Sequence, residues 1–289
     1  MPDDPYQVVG QEDSDGAVVE DIVIRATTDS AAADVDAAGG AIEAYLVEPA
    51  KPAEASGTPG PGLLFAHWYE PNAANGNRTQ YLAEAATWAR ERGATSILPQ
   101  LTFPWHHEPD GSAADRARVE AEVARLRRCL DVLVARPSVD AARLAVVGHD
   151  FGAMHGLLLA PQDGRAAAYA FIAGVPRWGE WFLPFWKIDE DRIDYLRALR
   201  DLDPIEHVRD VQPGKLLFQF GSRDWFIAGA IGFEFRRAAH EGTEVKTYDA
   251  DHGMESAEAE ADRAAFLMGV FESADHVDRK ARASPPAAP

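Results

Sequence analysis

"LAVVGHDFGAMHG" (residues 144–156) decides the fold. A short apolar run enters Gly148-His149-Asp150-Phe151-Gly152, and the residues beyond Gly152 are helix-like. A strand that turns sharply into a helix needs small residues beside the turn, and Gly148 and Gly152 supply them around Asp150. Such a turn holds its central side chain at the carboxyl end of a sheet, where open α/β proteins bind ligands. The amides and positive dipole end of the helix then favour an ionised carboxylate. The plainer alternative is that Asp150 only caps the helix, which aspartate does well.

On the N-terminal side of this turn, "LLFAHW" (63–68) and "ATSILP" (94–99) read as buried strands; on the C-terminal side "AAYAFIAG" (167–174), "KLLFQFG" (215–221) and "EVKTYDA" (244–250) do. Helix-like stretches lie between them, near 78–91, 112–135, 229–240 and 255–272. In the longest, Val119, Val123, Leu126, Leu130 and Leu133 recur at spacings of four and three, which places them on one face. Alternation of this kind predicts an α/β domain with a mostly parallel sheet flanked by helices on both sides. "AVVEDIVIRAT" (17–27) and "AIEAYLVEP" (41–49) alternate in polarity and predict an antiparallel pair at the sheet edge. The expected organisation is an N-terminal extension over 1–16, one domain over 17–274 with an eight-stranded sheet, an aromatic lid at about 176–209, and a disordered tail over 275–289.

The chain has 289 residues, 46% of them hydrophobic, enough to bury one large core. Its 47 acidic against 28 basic residues give a net charge of −19, which repels phosphate backbones and anionic membranes, so neither nucleic acid nor a membrane is expected as a partner. "MPDDPYQVVG" has no basic or apolar leader region, and no apolar run approaches the ~20 residues that span a bilayer. A cytoplasmic location is the expectation. The one cysteine, Cys129, reads as a small core residue. His106, His107, Glu108 and Asp110 in "FPWHHEPD" (103–110) lack the spacing of a metal site and read as a polar loop, so no metal or cofactor is expected.

"LLFQFGSRDWF" ends a strand and presents Asp224, and "VKTYDADHGM" ends the last strand and presents His252. With Asp150, the order of nucleophile, acid and histidine after successive strands resembles the α/β-hydrolase superfamily, over about residues 17–272. The elbow "GHDFGA" is similar to the aspartate-nucleophile branch, the epoxide hydrolases and haloalkane dehalogenases. "AIEAYLVEP", "LDPIEHV" and "GSRD" with the late "DHGM" look more like dienelactone hydrolases.

The resemblance implies Asp150 as nucleophile, His252 as base and Asp224 as its orienting partner, ahead of Asp249 and Asp251. It implies an oxyanion site from the amides of Phe151 and Trp68. His67, Tyr69, Trp178, Trp181, Trp186 and Tyr195 are the expected substrate-binding residues, with Tyr69 and Tyr195 as the acids that would protonate an opening epoxide; the lid tryptophans read equally well as anchors of the insertion to the body. The substrate would be small and apolar or aromatic; the oligomeric state stays open. Carboxylate attack on an ester yields a mixed anhydride and expels an alkoxide, whereas attack on an sp³ carbon yields an ordinary ester. Epoxide opening is therefore the leading expectation, followed by haloalkane dehalogenation, by ester or lactone hydrolysis of dienelactone type, and by a non-catalytic ligand-binding module.

Overall fold

The computed structural model describes residues 4–14, 16–27, 37–50, 58–68, 73, 77–102, 109–182, 186–212, 214–227 and 229–283, with side chains as far as 273. Its strands are β1 (Tyr6–Ser14), β2 (Ala17–Ile24), β3 (Ile42–Pro49), β4 (Gly60–Ala66), β5 (Thr95–Pro99), β6 (Val139–His149), β7 (Ala168–Ile172), β8 (Leu216–Gly221) and β9 (Glu244–Tyr248). They form one sheet in the order β1-β2-β3-β5-β4-β6-β7-β8-β9. The pairings β1–β2, β2–β3 and β3–β5 are antiparallel, and from β5 through β4 to β9 the sheet is parallel.

The expected antiparallel pair is present as β2 and β3, with Ile22 opposite Ala44, but it is not at the sheet edge, because β1 pairs with the outer side of β2. The described residues add a ninth strand, β1, within the expected N-terminal extension. Its side chains are exposed or half-buried throughout, so no face had to be apolar and the alternation that marks a strand is missing.

The helices are α1 (Leu82–Arg92), α2 (Ser112–Val134), α3 (Phe151–Gln162), α4 (Trp178–Phe182), α5 (Arg192–Leu199), α6 (Pro204–His207), α7 (Ile231–Ala238) and α8 (Ala257–Ala283). α2 and α3 pack together on one face of the sheet. On the other, Arg263 of α8 reaches Glu84 of α1 at 3.0 Å and Gln219 of β8 at 2.7 Å, a buried cluster in which the charge is paired. α8 continues to Ala283, so the first part of the expected tail is helical; 284–289 lie outside the described residues.

The predicted face of α2 is buried: Val119, Leu126, Leu130 and Leu133 have no exposed surface, and Cys129 sits among them with its thiol pushed up to about 12 by burial. β4 lies between β5 and β6, so the chain winds away from β4 in both directions. The loops after β4 and β6 therefore diverge and open a crevice at the carboxyl end of the sheet.

Candidate active site

Asp150 stands between β6 and α3 with φ 55° and ψ −113°, a conformation that costs a non-glycine residue energy and is held by its surroundings. Its amide donates to the carbonyl of Ile172 on β7 at 2.8 Å. Two residues on, a Cβ at Gly152 would collide with the carbonyl of Ala66 at the end of β4, so only glycine lets the helix start this close to the sheet. The Asp150 side chain makes no cap bond to α3. It is 4% exposed and faces His252, whose Nε2 lies 3.8 Å from Asp150 Oδ2, an ion-pair distance.

His252 follows β9 in a loop pressed against the end of β8, where a Cβ at Gly221 would meet the carbonyls of Ala250 and Asp251. Its Nδ1 donates to Asp224 Oδ2 at 2.8 Å. The other oxygen of Asp224 accepts the amides of Phe226 at 2.8 Å and Ile227 at 3.0 Å, which fixes the carboxylate. Asp249 is taken by Arg223 at 2.7 Å, so it does not compete for the imidazole. Burial alone would lower the pKa of His252, but the two carboxylates outweigh it and raise it to about 9. The two neighbouring carboxyl groups thus favour the protonated form of the imidazole.

His67, expected to meet substrate, is buried and engaged at both nitrogens. Nδ1 donates to the Trp68 carbonyl at 2.7 Å and Nε2 accepts the Leu101 amide at 3.0 Å, while burial lowers its pKa to about 4. Its task is to hold the loop. The Trp68 amide, expected as an oxyanion donor, donates instead to Gln80 Oε1 at 3.0 Å. Gln80 Nε2 meets His149 Nδ1 at 2.6 Å, and His149 Nε2 meets the His252 carbonyl at 2.8 Å. The Trp68 indole stacks on the His252 ring with centroids 5.4 Å apart and planes at 7°. Phe151, the other expected oxyanion residue, is the first residue of α3, where its amide needs no intrahelical acceptor.

The lid aromatics divide. Trp178 is fully buried and its indole donates to the Leu202 carbonyl at 2.8 Å, so it anchors the segment rather than lining a cavity. Tyr195 is also fully buried and donates to Asp115 of α2 at 2.7 Å, away from the role of acid, and Trp186 packs edge-on against it at 4.8 Å. Among the described tryptophans and tyrosine of this segment Trp181 turns to the site, against Phe151 at 5.4 Å and His252 at 6.2 Å. Phe226, not singled out from the sequence, joins it 5.1 Å from His252 and is 67% exposed at the rim. The indole nitrogens of Trp68 and Trp181 are buried and meet no acceptor among the described residues.

Tyr69 and the His106-His107-Glu108 stretch lie outside the described residues. Among the described residues no group of three histidines, cysteines and carboxylates is placed to hold a metal, and no helix is long and apolar enough to cross a membrane. Gln80 and His149 are the functional candidates that sequence reading missed. Adjacency to Asp150 was the one signal for His149; Gln80 had none, being distant in sequence from everything it touches.

No protein-family model matches the chain. It is 30% identical over 121 residues to polyketide transferase ATR5 of the fungus Stachybotrys chlorohalonatus, a stretch that covers 42% of this chain and 38% of that protein. The match thus spans well under half the length of that relative. Among solved structures, an acetyl xylan esterase from a Paenibacillus species matches with a TM-score of 0.65 at 17% identity, over 91% of this chain and 88% of that one. A Klebsiella pneumoniae protein taken to be a dienelactone hydrolase matches with a TM-score of 0.52 at 19% identity, over 82% and 95%. At such identities the likeness is one of fold: this is the α/β-hydrolase fold, with a mostly parallel sheet flanked by helices.

Proposed function

We propose that the chain is a hydrolase of carboxylic esters or lactones that works through an acyl group carried on Asp150, on substrates whose leaving group is weakly basic. The observation that carries this reading is the placement of His252 between two carboxylates, its Nδ1 2.8 Å from Asp224 Oδ2 and its Nε2 3.8 Å from Asp150 Oδ2, an arrangement that favours the protonated ring.

In the first step a carboxylate oxygen of Asp150 attacks the acyl carbon and the bond to the leaving oxygen breaks. His252 gives its Nε2 proton to that oxygen and becomes neutral. In the second step neutral His252 takes a proton from water, the hydroxide adds to the acyl carbon, and the acid leaves as Asp150 regains its charge. Asp224 keeps the imidazole oriented throughout. The Phe151 amide and the Trp68 indole, rather than the Trp68 amide, serve the developing oxyanion.

Stereochemistry favours this over the epoxide route expected from sequence. In-line opening of an epoxide sends the oxygen to the face opposite Asp150, away from the His252 proton, and Tyr195 is committed to Asp115. In acyl substitution the leaving oxygen departs from a tetrahedral centre on the side His252 can reach. Mixed-anhydride formation stays uphill for a simple alkyl ester. With the enol ester of a dienelactone-type ring the released enol becomes a ketone, which pulls the step forward. The esterases of the same fold and the partial likeness to a polyketide transferase support acyl chemistry.

A second reading is haloalkane dehalogenation, favoured by the two unpartnered indole N–H groups of Trp68 and Trp181. A halide needs no proton and would accept from both.

A series of acetate esters from 4-nitrophenyl to ethyl tests the proposal. Catalytic efficiency should fall by about 10³-fold or more as the leaving group becomes more basic. Equal turnover of ethyl and 4-nitrophenyl acetate would refute an acyl group carried on a carboxylate.

A further inference from the structure

The loop after β4, the elbow and the loop after β9 are joined by three hydrogen bonds that admit one assignment. The His252 carbonyl can only accept, so His149 carries its proton on Nε2 and donates across 2.8 Å. Its Nδ1 is then a lone pair, and the group 2.6 Å away must be the Gln80 amide nitrogen, which donates. That turns the Gln80 oxygen to the Trp68 amide, 3.0 Å away. The chain runs in one direction from Trp68 through Gln80 and His149 to His252. Its two interior members each use both ends of a planar polar group.

The three rings it connects also pack on one another. His149 lies 5.0 Å from Trp68 and 5.3 Å from His252, and Trp68 covers the His252 face at 5.4 Å. An indole face against an imidazolium stabilises its charge. The next residue but one, Met254, has φ 52°, a strained conformation that the loop keeps only while its neighbours hold it. The hydrogen bond from His149 is made to the backbone of the catalytic-base candidate itself.

We infer that Gln80 and His149 are positioning residues: they withdraw the Trp68 amide from substrate and fix the Trp68 indole and the His252 ring as one stack facing Asp150. This rests on His252 serving as the proton carrier of the proposed function. The same bonds make the Trp68 indole N–H, rather than its backbone, the donor left for a ligand. Burial keeps His149 neutral, its pKa lowered well below the usual histidine value, so the chain keeps its direction across the working pH range.

The test uses the full chain labelled with nitrogen-15 at histidine, without substrate. In the wild type, His149 should appear as the neutral Nε2–H tautomer from about pH 5 to 9, and the Nδ1 proton of His252 as a low-field signal protected from exchange. Gln80→Ala should broaden or lose that His252 signal while the melting temperature changes little. His149→Gln, which keeps a donor at the position of Nε2, should retain it, and His149→Ala should not. Turnover of 4-nitrophenyl acetate, if present, should then drop in kcat by about tenfold in Gln80→Ala and His149→Ala with KM within about threefold. A His252 signal unchanged in both alanine variants would reduce Gln80 and His149 to packing and overturn the inference. An Nδ1–H tautomer for His149 would do the same. Because the resonances are read without substrate, absence of any esterase activity would count against the proposed function and leave this inference standing or falling on its own evidence.

Discussion

The strand-end corner that holds Asp150, Asp224 and His252 and the aromatic segment from Trp178 to Tyr195 both carry the sequence marks of a functional region, yet only the first assembles as expected. In the corner, each side chain is placed by backbone: a strand ends, a glycine permits close approach, and a short turn leads on. In the aromatic segment, direction is set by distant partners. Tyr195 is fixed by Asp115, eighty positions away, and Trp178 by Leu202, so two expected pocket residues became anchors. Backbone-determined sites are legible from local pattern, whereas a side chain on an irregular segment points wherever its long-range acceptor lies.

Substitutions at the corner should therefore abolish chemistry and spare the fold, and substitutions in the anchors should do the reverse. Asp150→Asn is expected to lower kcat by about 10³-fold or more, with a melting temperature within a few degrees of wild type, because the side chain makes no cap bond to α3. Parallel steady-state kinetics and thermal melts would check this; a residual activity near wild type would reduce Asp150 to a structural residue.

The pH profile separates the corner's chemistry from that of an ordinary serine esterase. Under the proposed function the active form carries protonated His252, so kcat/KM should be flat from about pH 6 and decline above about 9. A serine-type site instead gains activity as its histidine loses a proton near neutrality. The same raised pKa means the ion pairing contributes stability fully below the unfolded histidine value and loses it as pH rises through about 9.

Tyr195→Phe reverses the pattern. Asp115, with no exposed surface, loses one donor and keeps the Asp110 amide at 3.1 Å, which should cost about 1–3 kcal/mol of stability while kcat changes less than about threefold. Chemical denaturation and initial rates together decide it, and a large fall in kcat at unchanged stability would restore Tyr195 to the site.

The smallest effect belongs to Asp203, which accepts the Trp178 amide at 3.0 Å and whose pKa is raised to about 7, chiefly by burial. A raised carboxyl pKa penalises folding increasingly as pH climbs from about 4 to above 7. Asp203→Asn should accordingly raise the melting temperature by a few degrees at pH 8 and by almost nothing at pH 4. A gain of equal size at both values would contradict the assigned cause.

What the sequence revealed obeys the same division. The parallel core, the antiparallel pairing of β2 with β3 and the positions of Asp150, Asp224 and His252 all rest on alternation, strand-ending glycines and chain order, which are local signals. β1 escaped notice because neither of its faces is buried, and the extension of α8 because a polar helix end has no apolar stripe to read. Gln80 and the committed Trp68 amide were invisible because a hydrogen bond across the crevice leaves no periodic trace. The favoured electrophile also moved, from sp³ carbon to acyl, with the placement of His252 between two carboxylates and the engagement of Tyr195 by Asp115.

The most direct test of the central claim is acid-quenched intact mass spectrometry of His252→Gln exposed to 4-nitrophenyl acetate, an enol lactone, a haloalkane and an epoxide in turn. Removing His252 slows the hydrolytic step, while 4-nitrophenolate leaves without a proton, so the account predicts an acetyl adduct that peptide mapping assigns to Asp150 and that Asp150→Asn abolishes. An alkyl adduct on Asp150 from the haloalkane alone would move the assignment to the second reading. Wild-type turnover of the ester with no adduct on Asp150 under any quench would contradict the account.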